Sequence, residues 1–145
     1  MRPENIPDIS LFSHTTPLQL RFSDVDVLGH VNNTVYFAFY DTGKAHFFNA
    51  LMDGAVDWQH VETVIANVDC CYIRPIVFSD EIEVLTRCKA IGDRSFTLQQ
   101  VIRERNRGEI MSACETVMAG FDPATQTCVP IPDRWKQALA KSMTI

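Results

Sequence analysis

Two aspartates, a glycine, a histidine and two asparagines crowd into "SDVDVLGHVNN" of this 145-residue chain: Asp24, Asp26, Gly29, His30, Asn32 and Asn33. A mostly apolar, aromatic run follows at once, and polar groups at the mouth of a buried segment cost free energy unless they find partners or do work. A D-x-D pair can hold a divalent metal, as in some phosphatases and glycosyltransferases. Those proteins need a parallel α/β sheet with further acidic and lysine motifs, whereas hairpin patterns follow here and two carboxylates are too few oxygen ligands. A cysteine nucleophile would need a positioned base, and nothing marks one. No G-x-S-x-G elbow is present, and Gly29 alone does not make a phosphate loop. Asn and Asp favour turns and helix starts, which accounts for Asn32 or Asn33 singly but not for the whole cluster. The remaining chemistry is a site at a helix N-terminus. There, unpaired N–H groups and the positive end of the dipole polarise a carbonyl, and an upstream carboxylate activates water or attacks.

That chemistry needs a helix directly after the loop. "TVYFAFYDTGKAHFFNALMD" has apolar residues on most sides of a helical wheel, which predicts a helix wrapped by other structure. Asn33 or Thr34 can cap its start, and the glycine of "MDGAV" ends it. Ahead of the loop, Leu18, Leu20 and Phe22 alternate with Gln19 and Arg21, predicting a strand over "LQLRF". The segment up to about Thr16 is polar and punctuated by prolines, and is expected to lie over the surface or reach a partner subunit. Past a loop through Trp58, four strand-like runs follow without an intervening helix. "TVIANVDCCYI" places Val64, Ala66, Val68, Cys70 and Tyr72 on one face, and "EIEVLTRCKAI", "SFTLQQVIRE" and "EIMSACETVMAGF" succeed it. The turns "GDR" and "NRG" imply antiparallel hairpins. A short helix is expected in the tail, anchored by Trp135 and Leu139. One helix able to cover one curved antiparallel sheet makes an α+β architecture.

The length suits one domain, residues 1–145, with a core over about 17–121, an N-terminal extension and a short C-terminal tail. A net charge of -5 gives no support for nucleic-acid binding. The cysteines (Cys70, Cys71, Cys88, Cys114 and Cys128) have no framework spacing and read as free thiols in a reducing cytoplasm. The N-terminus lacks the apolar run of a secretory signal, and no segment approaches the ~18 apolar residues of a membrane span.

"RFSDVDVLGHVNNTVYFAFYDTGK" closely resembles the signature of hotdog-fold acyl-CoA thioesterases of the 4-hydroxybenzoyl-CoA thioesterase type. Arg21, Asp24, Asp26, Gly29, His30, Val31, Asn32, Asn33, Tyr36, Tyr40 and Asp41 stand at the matching places. "CYIRPIVFSDEIEV" and "DRSF" resemble the family's later motifs, so the resemblance spans roughly Pro17 to Phe121. It implies a hotdog fold, a curved antiparallel sheet around one long central helix. It further implies hydrolysis of an acyl-CoA to free acid and coenzyme A, with no cofactor or metal beyond the coenzyme A of the substrate. Asp26 is then the catalytic carboxylate, as base or nucleophile, and a backbone N–H near Asn32 to Tyr36 polarises the carbonyl. His30 and Asn33 are placed to orient substrate or water, Asp24 to shape the loop and Tyr36 to pack the helix start, while Gly29 and Val31 belong with Asn32 to the loop and helix start that polarise the carbonyl. Arg94 and Ser95 resemble positions near bound coenzyme A. The family's glutamate and arginine after the helix aromatics are replaced by Asp41 and Lys44. Members pair as homodimers, many as homotetramers, with the site at the subunit interface. The alternatives are an acyl carrier protein thioesterase and a non-catalytic module that binds acyl-CoA. Phe39, Phe47, Trp58 and Ile65 are candidate walls of an acyl pocket.

Overall fold

Period-two alternation in the second half of the chain becomes a single antiparallel sheet. The computed structural model describes residues 6–58 and 61–144, so the start of the N-terminal extension lies outside the described residues. The strands are β1 (His14–Leu18), β2 (Thr63–Tyr72), β3 (Ile82–Ile91), β4 (Ser95–Glu104), β5 (Ile110–Asp122) and the short β6 (Thr127–Cys128). Their order is β1-β3-β4-β5-β2, with β6 paired to the end of β5. Every pairing is antiparallel. The turn before β4 closes with Gly92 N–H donating to Ser95 C=O, and Gly108, at φ 70°, closes the next.

Helix α1 (Val35–Leu51) lies on the concave face. Its buried residues are Tyr36, Phe39, Tyr40, Gly43, Lys44, Phe47 and Phe48, a stripe at spacings of three and one. The apolar wheel led to the expectation of burial all round. Phe37 instead stays 43% exposed, because the sheet covers one side of the helix. The Gly43 backbone comes so close to β3 and β4 that an added Cβ would lie 2.7 Å from Val84 Cγ1 and 2.9 Å from Gln100 Nε2. Gln100, fully buried, donates from Nε2 to the Tyr40 carbonyl at 3.0 Å and so ties the middle of α1 to β4. Asp41 and Lys44 form an ion pair one turn apart at 3.3 Å. The helix ends at Met52, after which Asp53 and Gly54 both take positive φ. Helix α2 (Asp133–Ser142) plugs the far end of the core through Trp135 and Leu139, as their spacing predicts.

Two expectations fail. The first strand runs from His14 to Leu18, not from Leu18 to Phe22. The chain turns into a 3-10 helix at Phe22–Asp24, because the buried Asp24 carboxylate accepts the Arg21 N–H at 2.8 Å and pairs with its guanidinium at 3.0 Å. Phe22 is thereby turned outward, 88% exposed. Strand β1 also carries Pro17 and lies at one edge of the sheet. The second failure is the face of β2. A bulge between Ile65 and Asn67 inserts one residue, so Ile65 pairs with Met118, Val68 with Thr116, Cys70 with Cys114 and Tyr72 with Ser112. Ile65 therefore shares the concave face with Val68, Cys70 and Tyr72, and Val64 does not. The curled sheet around one long helix is the expected hotdog arrangement. Among the described residues, no helix is long and apolar enough to cross a membrane.

Candidate active site

The loop before α1 is a small closed hairpin. Val25 and Val31 form an isolated bridge, Asp26 N–H donates to His30 C=O at 3.0 Å, and Gly29 N–H donates to Asp26 C=O at 3.0 Å. Gly29 sits at φ 79°, the left-handed conformation such a tight reversal needs. The two aspartates have separate fates. Asp24 is buried against Arg21, and its carbonyl accepts the Asn32 N–H at 2.8 Å. Asp26 is half-buried, with Leu28 N–H donating to Oδ1 at 2.9 Å and Asn32 Nδ2 donating to Oδ2 at 3.2 Å. The carboxylates thus face different partners, and among the described residues no group of three His, Cys, Asp or Glu could hold a metal ion.

Asn32 joins this loop to the helix. Its Oδ1 accepts the Thr34 N–H at 3.0 Å and the Thr34 hydroxyl at 2.6 Å. The cap residue is Thr34, and its side chain makes no capping bond. Neither Asn33 nor Thr34 therefore caps with its own side chain; Asn32 organises the turn instead. Asn32 thus takes the Thr34 N–H on its side chain and the Val35 N–H on its carbonyl at 3.0 Å, and the N–H groups that follow in the first turn have no internal acceptors in an α-helix.

At the helix start lies a cleft of about 300 Å³ whose lining includes His30, Val31, Asn33 and Tyr36 on one side and Tyr72, Arg74 and Pro75 on the other. Tyr72 Oη donates to the Asn33 carbonyl at 3.0 Å, and its ring meets Tyr36 edge-on at 4.8 Å. Tyr36 is buried, which pushes its phenol up to about 12, so it packs the helix start as a neutral group. Val31 N–H donates to the Ile76 carbonyl at 2.8 Å, fixing the loop to the segment after β2. The wall of Tyr72, Arg74 and Pro75 was not singled out as part of the site from sequence. Its one signal was the Tyr-x-Arg-Pro pattern at a strand end.

Arg94 and Ser95 lie elsewhere. They sit in the β3–β4 turn, where Gly120 N–H donates to the Arg94 carbonyl. Ile91 and Phe96, on either side of that turn, pack with Phe47 and Phe48 at the other end of α1. A helix of 17 residues separates the two regions by about 25 Å within one protomer. Of the proposed acyl walls, Phe39 and Phe47 are core residues, while Trp58 and Ile65 are exposed.

A family model described as the thioesterase-like superfamily matches residues 20–139, most of the chain, including the whole of this site and Arg94 and Ser95. The chain belongs to the thioesterase-like superfamily. Among its relatives, the uncharacterized protein YsmA of Bacillus subtilis is 27% identical over 88% of this chain and 86% of its own. The long-chain acyl-CoA thioesterase FadM of Escherichia coli is 24% identical over 86% of this chain and 95% of its own. A Thermus thermophilus thioesterase, crystallised with coenzyme A and zinc, superposes with a TM-score of 0.83 at 23% identity, covering 94% of this chain and 98% of that one. This thioesterase-superfamily chain thus carries the family fold over nearly its whole length.

Proposed function

We propose that the protein is a cytoplasmic acyl-CoA thioesterase whose catalytic carboxylate is Asp26. The supporting observation is the fixed position of that carboxylate beside the start of α1, held by Leu28 N–H and the Asn32 amide. Each bonded oxygen keeps acceptor capacity, so a water can bridge Asp26 and a thioester carbon at the mouth of the cleft. Asp26 takes the water proton as the oxygen attacks. The tetrahedral oxyanion is stabilised by a backbone N–H near Asn32 to Tyr36 and by the helix dipole. Collapse breaks the C–S bond, releasing the acid and the coenzyme A thiolate, which recovers a proton. His30 and Asn33, at the cleft rim, orient the water or the substrate. No cofactor enters beyond the coenzyme A of the substrate itself.

The cleft is completed by a second copy of the chain. Among the described residues, strand β2 ends the sheet and bears exposed Ile65, Val68 and Tyr72, suited to edge-to-edge pairing of two sheets. Any contact of Arg94 or Ser95 with coenzyme A at this cleft comes from that second copy, given the length of α1.

The test is thiol release from a panel of acyl-CoAs by the wild type and Asp26→Asn. The variant is expected to lose at least roughly 10²-fold in rate. An unchanged rate would remove Asp26 from the mechanism, and tight acyl-CoA binding without hydrolysis of any member would favour a binding module.

A further inference from the structure

Cys70 in β2 and Cys114 in β5 are far apart in sequence but directly opposite in the sheet. The Ile73 N–H donates to the Met111 carbonyl at 2.9 Å, marking that position as a hydrogen-bonded pair. Antiparallel ladders alternate, so 72/112 is a non-hydrogen-bonded pair, 71/113 a bonded one, and 70/114 again a non-hydrogen-bonded one. Such pairs have Cα atoms about 4.5 Å apart and side chains at their closest. That falls inside the ~4.4–6.8 Å range that a disulfide spans.

The Ser112 hydroxyl lies 3.6 Å from Cys70 Sγ, and the Thr116 hydroxyl lies 3.7 Å from Cys114 Sγ. The facing Cys114 thiol and then the Ser112 hydroxyl draw the Cys70 thiol down to about 7 against the opposing effect of burial, while Cys70 and burial push Cys114 upward. Cys70 is half-buried and Cys114 fully buried. One partner is thus a reachable thiolate and the other a sheltered thiol, the division of labour that peroxide chemistry requires. The other cysteines lack such a partner arrangement. Cys71 points to the opposite face of the strand, and burial pushes Cys88 up to about 11.

We propose that Cys70 and Cys114 form a peroxide-reactive dithiol site that closes to a disulfide between β2 and β5. The Cys70 thiolate attacks one oxygen of the peroxide, breaking the O–O bond, forming S–OH and releasing hydroxide. Cys114 sulfur then displaces the hydroxyl, forming S–S, and its proton leaves in the second water. Both sulfurs together lose two electrons, and both peroxide oxygens end as water. The site stands independently of the thioesterase reading. It adjoins the cleft, because Tyr72 follows Cys70 on the same face and holds the Asn33 carbonyl.

The experiment uses Cys128→Ser protein, which lacks the exposed thiol, treated with hydrogen peroxide after full reduction. Intact mass is expected to fall by two hydrogens per chain, with peptide mapping linking Cys70 to Cys114. In the same background, Cys114→Ser should stop at a sulfenic acid on Cys70 that dimedone traps, and Cys70→Ser should abolish the mass loss. A Cys70–Cys71 link, a link between chains through Cys70, or a Cys70 that stays fully alkylatable after peroxide would overturn the proposal.

Discussion

In the proposed mechanism the side chains of Asp24 and Asp26, separated by one residue, do different jobs. Asp24 is buried, and its oxygens accept the Arg21 N–H and guanidinium, so its work is to close the 3-10 turn. Asp24→Ala strips these charge-assisted bonds and should lower stability by about 2 kcal/mol, read as a shift in the urea midpoint. Asp26→Asn keeps the shape and an acceptor for Leu28 N–H, so its urea midpoint should stay close to wild type while thiol release collapses. If both variants lost stability equally, the division between frame and chemistry would be wrong. Asn32→Ala tests the link between them. It frees one oxygen of Asp26 and the Thr34 N–H together, so both rate and stability should drop, each by less than in the matching aspartate variant.

At the scale of the element, α1 is seated by an absence of side chain. Alanine is normally better than glycine within a helix by about 1 kcal/mol. At Gly43 the added methyl would press on Val84 and on Gln100, which is itself held by Tyr40 and Thr86. Gly43→Ala is therefore expected to destabilise by about 1–3 kcal/mol, reversing the helix preference, and thermal unfolding would show it. Much of this element was legible beforehand. The helix, its glycine-marked end and the anchors Trp135 and Leu139 all follow from local spacing. What escaped was set by contacts distant in sequence or by one added residue. The alternation at Leu18, Leu20 and Phe22 was real, but capture of Arg21 by Asp24 overrode it at Phe22. The bulge near Ala66 left composition untouched and shifted the facing of β2 by one position. The loop of the site was readable because its residues are neighbours in the chain. Its opposite wall at Tyr72 and Arg74 depends on pairing across the fold, which spacing alone does not encode.

For the whole molecule, the proposed assembly has two copies meeting at the β2 edge, the end of the sheet among the described residues. At the non-hydrogen-bonded positions of the β2–β5 pair, the β2 N–H groups point away from β5, and Val68 is one of these. Val68→Pro removes an outward donor without breaking the internal ladder. It should yield a folded monomer by light scattering with unchanged far-ultraviolet circular dichroism, and thiol release should fall with the loss of the shared cleft. A variant that remained dimeric would place the interface elsewhere.

Strand β1, at the other edge, carries Pro17, which has no N–H to offer. A proline inside a ladder turns its nitrogen to the unpaired side, so that border of the sheet is sealed against further strands. A molecule with one open border and one sealed border can pair once about a two-fold axis and then has nothing left to pair with. In the proposed assembly Pro17 thereby limits growth, separating a closed pair from a polymer. Pro17→Val should open a second border, and turbidity rising with protein concentration in the variant and not in the wild type is the expected result.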